Sequence, residues 1–208
     1  EGHVRVCGVE LRRRRGATTA PSGGPTAVRL VRVPSAERNL SRLAVALLRG
    51  QALLVEGPSG CGKTAALAEL AMLTGNADAL TLHLDDQADA KSLLGAYVCG
   101  SRPGEFRWQP GALAQAVSAG RWVVVEDVDL APAELLAALA PLLESRRLHV
   151  PERGETLVAA PGFQLVGTAV PGRASAAVQP LLGGGRWARV EVDAPEDGEA
   201  AAVLAGVG

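Results

Sequence analysis

Cysteine is scarce in this sequence. Cys7, Cys61 and Cys99 are odd in number, far apart and free of metal-ligand spacing. This excludes a disulfide framework and points to a reducing intracellular compartment. An excess of one charge is also missing: the formal net charge of −1 gives no electrostatic case for nucleic acid or an anionic membrane as a partner. No apolar run approaches the roughly 20 residues that span a bilayer, and no charged-then-apolar start marks a signal peptide. Lysine occurs only at 63 and 91, within an arginine-, alanine- and glycine-rich composition that reflects a genome rather than a function. What is present is an ordinary globular composition, 48% hydrophobic and 21% charged over 208 residues, long enough for one sizeable domain or one and a half. The chain opens at Glu1 and stops at Gly208 without punctuation, which reads as a fragment.

Residues Gly57, Pro58, Ser59, Gly60, Cys61, Gly62, Lys63 and Thr64 fit G-x-x-x-x-G-K-[ST], a phosphate-binding loop. The glycines allow several backbone N–H groups to converge on one phosphate. Lys63 brings a charge to the β- and γ-phosphates, and the Thr64 hydroxyl is placed to ligate Mg²⁺. Ala52–Val55 before the loop reads as a strand buried on both faces. Leu67, Leu70, Ala71 and Thr74 after it recur at helical spacing, with Gly75 as the stop. The helix N-terminus then directs its positive end at the phosphates. A glycine-rich turn that binds nothing would not need this strand and helix around it.

Along the chain, His3–Cys7 alternates like a strand, Arg12–Arg15 is a basic run, and 16–26 is rich in Gly, Pro, Ser and Thr. The arginines read either as a targeting or nucleic-acid patch or as a solvated flexible arm. Ser35–Leu48 predicts a helix capped by Ser35. Leu80–Leu84 predicts a second strand, Ala90–Val98 a short helix, 100–111 a hairpin excursion, and Ala112–Val117 a helix stopped by Gly120. Trp122–Asp127 predicts a third strand, and 132–143 a helix with Pro132 in its first position. A second hairpin surrounds Pro151–Glu155. Phe163–Thr168 and Trp187–Val192 complete five strands, and a new helix starts at 193–196. Strands alternating with helices imply an α/β fold, a mostly parallel sheet covered on both faces.

A phosphate loop needs a carboxylate at a neighbouring strand end to hold Mg²⁺, with a base or water-positioning group beside it. Glu126 and Asp127, after four apolar residues, are the candidates. The usual order is Asp then Glu, so the pair is reversed here. Glu126 can reach the metal through water. Asp127 is one methylene short of the usual catalytic carboxylate, and a misplacement of about 1 Å can cost on the order of a hundredfold in rate. Asp129 is a weaker candidate, expected to be exposed. Arg186, after Gly183–Gly185, reads either as an arginine finger for a neighbouring subunit's nucleotide or as a surface arginine.

With these sites placed, the chain resembles an AAA+ ATPase module of the P-loop NTPases, of the group with a hairpin inserted in its second helix. The insert falls at 100–111 and a further hairpin before the fourth strand at 148–159. Residues 54–64, 86–95, 103–111, 126–132 and 160–164 carry the likeness, which covers roughly 30–195 and is nearest to the giant nuclear, dynein-related branch. That resemblance implies ATP and Mg²⁺ as cofactors, neighbouring AAA+ modules in a ring as partners, and remodelling of pre-60S ribosomal particles in the nucleus. The reversed acidic pair resembles the first module of that branch's tandem array. The resemblance divides the chain into an N-terminal arm at 1–34, an AAA+ large subdomain at 35–195 and the start of a truncated helical lid at 196–208. Val170 stands where family members often carry an asparagine that senses the γ-phosphate. With the reversed carboxylates, this implies weak hydrolysis by the module itself. Two alternatives stay open: a module that holds nucleotide structurally without turnover, and a stand-alone MoxR-type ATPase.

Overall fold

The computed structural model describes residues 2–14, 30–83, 93–100, 102 and 104–205. The stretch 16–26, Leu84 and most of the motif at 86–95 lie outside the described residues. β1 (Gly2–Val6) and β2 (Val9–Arg13) form an antiparallel hairpin. Its inward residues Val6 and Leu11 are buried, so the start of the chain packs against the core. The basic run is divided by this packing: Arg12 and Arg13 are exposed on β2, whereas Arg14 pairs with Asp78 at 3.1 Å.

α1 (Pro34–Leu47) starts one residue earlier than expected, with Val33 as its N-cap. Ser35 lies inside the first turn, buried, and its N–H donates to Glu199 Oε1 at 3.0 Å. Proline at the first helical position already has a helical φ and lacks one of the unpaired N–H groups, and a distant carboxylate satisfies another. β3 (Ala52–Glu56) feeds the phosphate loop and α2 (Lys63–Leu73) follows it. β4 (Leu80–His83) comes next.

The helix expected over 90–98 is a correction. Leu93–Leu94 are the described helical residues there, and Gly95–Cys99 is strand β5, antiparallel to β6 (Phe106–Pro110). Tyr97, Val98 and Cys99 favour a pleated surface over a helix, and Tyr97 meets Trp108 across the pair edge-to-face at 5.2 Å. The insert is therefore a hairpin, as read, but its first strand begins at 95 rather than 100.

α3 (Ala112–Ala119), β7 (Trp122–Glu126) and α4 (Ala133–Ser145) follow. Pro132 precedes α4 as its N-cap with an extended ψ of 133°, and is not its first residue. β8 (Arg147–Val150) and β9 (Glu155–Val158) form the second hairpin. β10 (Gln164–Ala169), α5 (Gln179–Leu182), β11 (Trp187–Glu191) and α6 (Asp197–Ala205) complete the described elements.

Five strands form one sheet in the order β11-β3-β10-β7-β4, every neighbouring pair parallel. Strand periodicity divides their apolar residues between the two faces. Leu54, Val123, Val125 and Leu165 pack with α3 and α4, whereas Leu53, Val55, Val124 and Val166 pack with α1, α2 and the β1–β2 hairpin. Because all five strands run one way, their C-terminal ends share one edge of the sheet, and the phosphate loop leaves from that edge.

Candidate nucleotide site

The loop between β3 and α2 is held by its neighbours. Gly57 N–H donates to the Ala169 carbonyl of adjacent β10 at 3.3 Å. At Gly57, an added Cβ would lie 2.4 Å from the Val192 carbonyl oxygen, so the chain leaving β11 leaves room for no side chain. Gly62, the N-cap of α2, has φ 89°, a left-handed conformation that glycine adopts without penalty. The Lys63 ammonium donates to the carbonyls of Gly57 and Pro58, both at 2.8 Å, and so lies across the mouth of the loop.

Thr64 and Glu126 come together across 62 residues of sequence: the Thr64 hydroxyl donates to Glu126 Oε1 at 2.9 Å. His83, on the next strand, approaches Glu126 Oε2 at 3.5 Å. No group of three or more His, Cys, Asp or Glu converges among the described residues. The pair therefore offers one hydroxyl and one carboxylate. Two hard oxygen donors suit Mg²⁺, which keeps most of its waters and takes few protein ligands. The loop's close-packed backbone and these donors fit a Mg²⁺-bound phosphate chain.

Asp127 falls beyond the end of β7, with φ 50°, its N–H donating to Thr168 Oγ1 at 3.1 Å. Its carboxylate does not join the Thr64–Glu126 pair. It binds Arg173, Nη2 to Oδ1 at 2.5 Å. Asp129, expected to be exposed, is fully buried at its side chain and forms a short contact with the same guanidinium. A carboxylate is buried only with a counter-charge, and Arg173 provides it. The hydrogen bond to Asp129, supported by that to Asp127, raises the Arg173 pKa even above its ordinary value.

Arg186 lies elsewhere. It precedes Trp187, which pairs with Ala52 at the start of β3, whereas the loop leaves β3 at Glu56. A strand of that length, at about 3.3 Å per residue, separates them by on the order of 15 Å. Arg186 instead pairs with Glu144 at 2.6 Å.

Two features escaped the sequence reading. Arg173 is one; the motif-like turn Val170–Arg173 and an acid two residues past Asp127 were its signal. The other is an apolar cavity beside the loop, lined by Leu30, Val31, Cys61, Ala66, Pro195 and Val203. The chain after β11 is tied across it: Asn39 donates to the Asp193 carbonyl at 2.9 Å and accepts from its N–H at 3.1 Å. That cavity comes from segments far apart in sequence.

A parallel sheet with a glycine-rich loop, a lysine, a threonine and a facing carboxylate at one edge defines a P-loop nucleoside-triphosphate-binding domain. Residues 52–182 match the model of the AAA domain, dynein-related subfamily, and the chain belongs to that family. It is by that membership an ATPase-type module, of a family whose domains assemble into rings. It is similar to midasin of Dictyostelium discoideum, 50% identical over 140 residues, 67% of this chain and 2% of that protein. It is also similar to midasin of Giardia intestinalis, 39% identical over 49% of this chain and 2% of that protein. Protein NorQ of Paracoccus denitrificans (strain Pd 1222) is 36% identical over 58% of this chain and 44% of its own length. The chain thus spans a small part of the midasins and under half of NorQ. Among the described residues, no helix is long and apolar enough to cross a membrane.

Proposed function

We propose that this chain is the ATP-binding AAA+ module of a midasin-like nuclear ATPase that remodels pre-60S ribosomal particles. The observation that carries the ATP reading is the 2.9 Å contact between Thr64 and Glu126. It joins the loop hydroxyl and the strand-end carboxylate at one point, where Mg²⁺ would neutralise charge on the β- and γ-phosphates. Of the loop, Ser59, Gly60 and Gly62 have N–H groups to offer a phosphate, since Pro58 has none and Gly57 donates to Ala169. Lys63 exchanges two carbonyls for phosphate oxygens. The apolar cavity beside Cys61 suits the adenine base, which needs flat apolar walls and few polar groups. Asp127 is the chain's candidate for orienting the attacking water, and Arg186 the group offered to the next module's nucleotide. The ribosomal role rests on the likeness to midasin and is tested by co-sedimentation of the full-length protein with pre-60S particles.

Nucleotide titration with and without Mg²⁺ tests the reading. Wild type binds ATP in a Mg²⁺-dependent way. Lys63→Ala weakens binding by about tenfold to a hundredfold, since a charge-assisted hydrogen bond contributes about 1.5–3 kcal/mol. Equal affinity for wild type and Lys63→Ala would remove the proposal.

A second reading, a module that holds nucleotide without turnover, draws on two observations: Asp127 is bonded to Arg173, and Val170 is apolar. In an assembled ring, activity retained by Asp127→Asn but lost in Lys63→Ala would favour it. The likeness to NorQ keeps a stand-alone MoxR-type ATPase as a third reading. A reading frame that continues into further phosphate loops excludes it.

A further inference from the structure

The end of β10 lacks a polar side chain aimed at the loop. Ala169 and Val170 follow Thr168, and neither can hydrogen-bond a phosphate oxygen or a water. The chain then reverses through Val170-Pro171-Gly172-Arg173, with Gly172 at φ 77° and Arg173 N–H donating to the Val170 carbonyl at 3.3 Å. Proline second and glycine third give a type II turn, and it returns Arg173 to the strand end just left.

There the guanidinium makes two different contacts. Nε and Nη2 clasp Asp129, whose side chain is fully buried. Nη2 also reaches Asp127, whose side chain is 53% exposed. Removing the counter-charge from a buried carboxylate is strongly disfavoured, so Arg173 stays on Asp129. An exposed ion pair is screened and contributes little, so Arg173 can leave Asp127. That exchangeable side borders the candidate metal site, because Asp127 directly follows Glu126 and Glu126 holds Thr64. Gly57, Pro58, Asp129 and Val170 also line one hollow, which puts Asp129, the anchor of Arg173, beside the start of the phosphate loop.

We propose that Arg173 is this chain's own γ-phosphate-responsive residue: anchored on Asp129, it exchanges Asp127 for the terminal phosphate and frees Asp127 when ATP rather than ADP is bound. The inference rests on the ATP-binding reading above. With Nε and one Nη2 hydrogen kept on Asp129, leaving Asp127 frees the other Nη2 hydrogen, and the Nη1–Nη2 edge can then take two phosphate oxygens. Arg173 also acts within one chain, whereas Arg186 faces away from its own loop.

The test measures Mg²⁺-ATP and Mg²⁺-ADP affinities of the 208-residue chain with fluorescent nucleotides. Arg173→Gln is made together with Asp129→Asn, so that no buried carboxylate is stranded, and the thermal midpoint without nucleotide checks the fold. ATP affinity should fall by about tenfold, the scale of one charge-assisted bond, with ADP affinity little changed. Arg173→Lys should recover part of the difference. Asp127→Asn, which needs no change to the buried pair, should raise ATP affinity alone, because a binding-competent Arg173 is then populated more often. Parallel losses for ATP and ADP, or an unchanged ATP-to-ADP ratio in the Arg173 and Asp127 variants, would overturn the proposal. A wild-type chain that binds neither nucleotide overturns the ATP reading instead.

Discussion

Gly57 is the most closely confined glycine of the phosphate loop. A methyl group there meets a backbone oxygen and the Cys61 sulfur, 2.4 and 2.9 Å away, and neither gives way easily. The Val192 backbone is fixed because its N–H donates to the Glu56 carbonyl at 2.8 Å. Gly57→Ala should therefore cost about 1–3 kcal/mol, the usual range for overpacking, and lower ATP affinity as the loop shifts. Chemical denaturation with a nucleotide titration checks both; unchanged stability and affinity would show that β3 and β11 can separate freely. At this scale the sequence was legible wherever spacing was local. Residues 57–64 sit within one turn and its flanks, and Glu126 was read from the rule that an acid ends a neighbouring strand, although β10 lies between its strand β7 and β3. Arg173 and Asp129 were not legible, because their pairing spans 44 residues and depends on burial that no local pattern encodes. Asp127 was read as a candidate from its place beside Glu126, but its Arg173 partner could not be read from its neighbours.

The elements most exposed to outside conditions are the chain's last helix and its dock. α6 reaches α1 through Glu199, whose carboxylate accepts from Ser35 N–H, and Glu196, just before α6, pairs with Arg38 at 2.6 Å. The hydrogen bond from Ser35 holds the Glu199 carboxyl below its ordinary range. A folded-state pKa below the unfolded one gives stability that is fully present above the unfolded value, about 4.3 for glutamate. It is lost as pH falls through the folded value. The Ser35 amide shift, followed by NMR from neutral pH downward, should move with a midpoint below the ordinary glutamate value. Glu199→Gln should abolish that step; a transition centred at or above the ordinary value would contradict the contact. Of the five sheet strands, β3, β7 and β10 were legible as largely apolar runs, and β4 and β11 as short stretches with polar residues interspersed. The helix expected over 90–98 was not a helix, since Tyr97 pairs with Trp108, eleven residues further on, across a hairpin. Ser35 likewise resembled a cap because serine usually caps, but Pro34 had already begun the helix.

For the whole molecule, the parallel sheet has two distinct ends. The phosphate loop, Glu126 and Arg173 occupy the end where strands finish; Arg186 sits where they start. One copy cannot bring both ends to the same phosphate, since the intervening β3 is rigid and buried. If Arg186 acts on a nucleotide, as proposed above, it therefore acts on that of a neighbouring copy or module. The Arg186–Glu144 pair does not oppose this, because both side chains are partly exposed and such a pair contributes about 0–1 kcal/mol. Arg186→Ala should thus leave ATP affinity of the isolated chain within about twofold and lower turnover of the assembled ring by about a thousandfold, the lower end for an arginine finger. Where the ring is built from separate chains, mixing Arg186→Ala with Lys63→Ala chains should restore some turnover, because an intact loop and an intact arginine then meet at a fraction of the junctions. Lost affinity in the isolated Arg186→Ala chain would instead show that the residue supports its own fold, and no recovery on mixing would show that it never crosses to a neighbour.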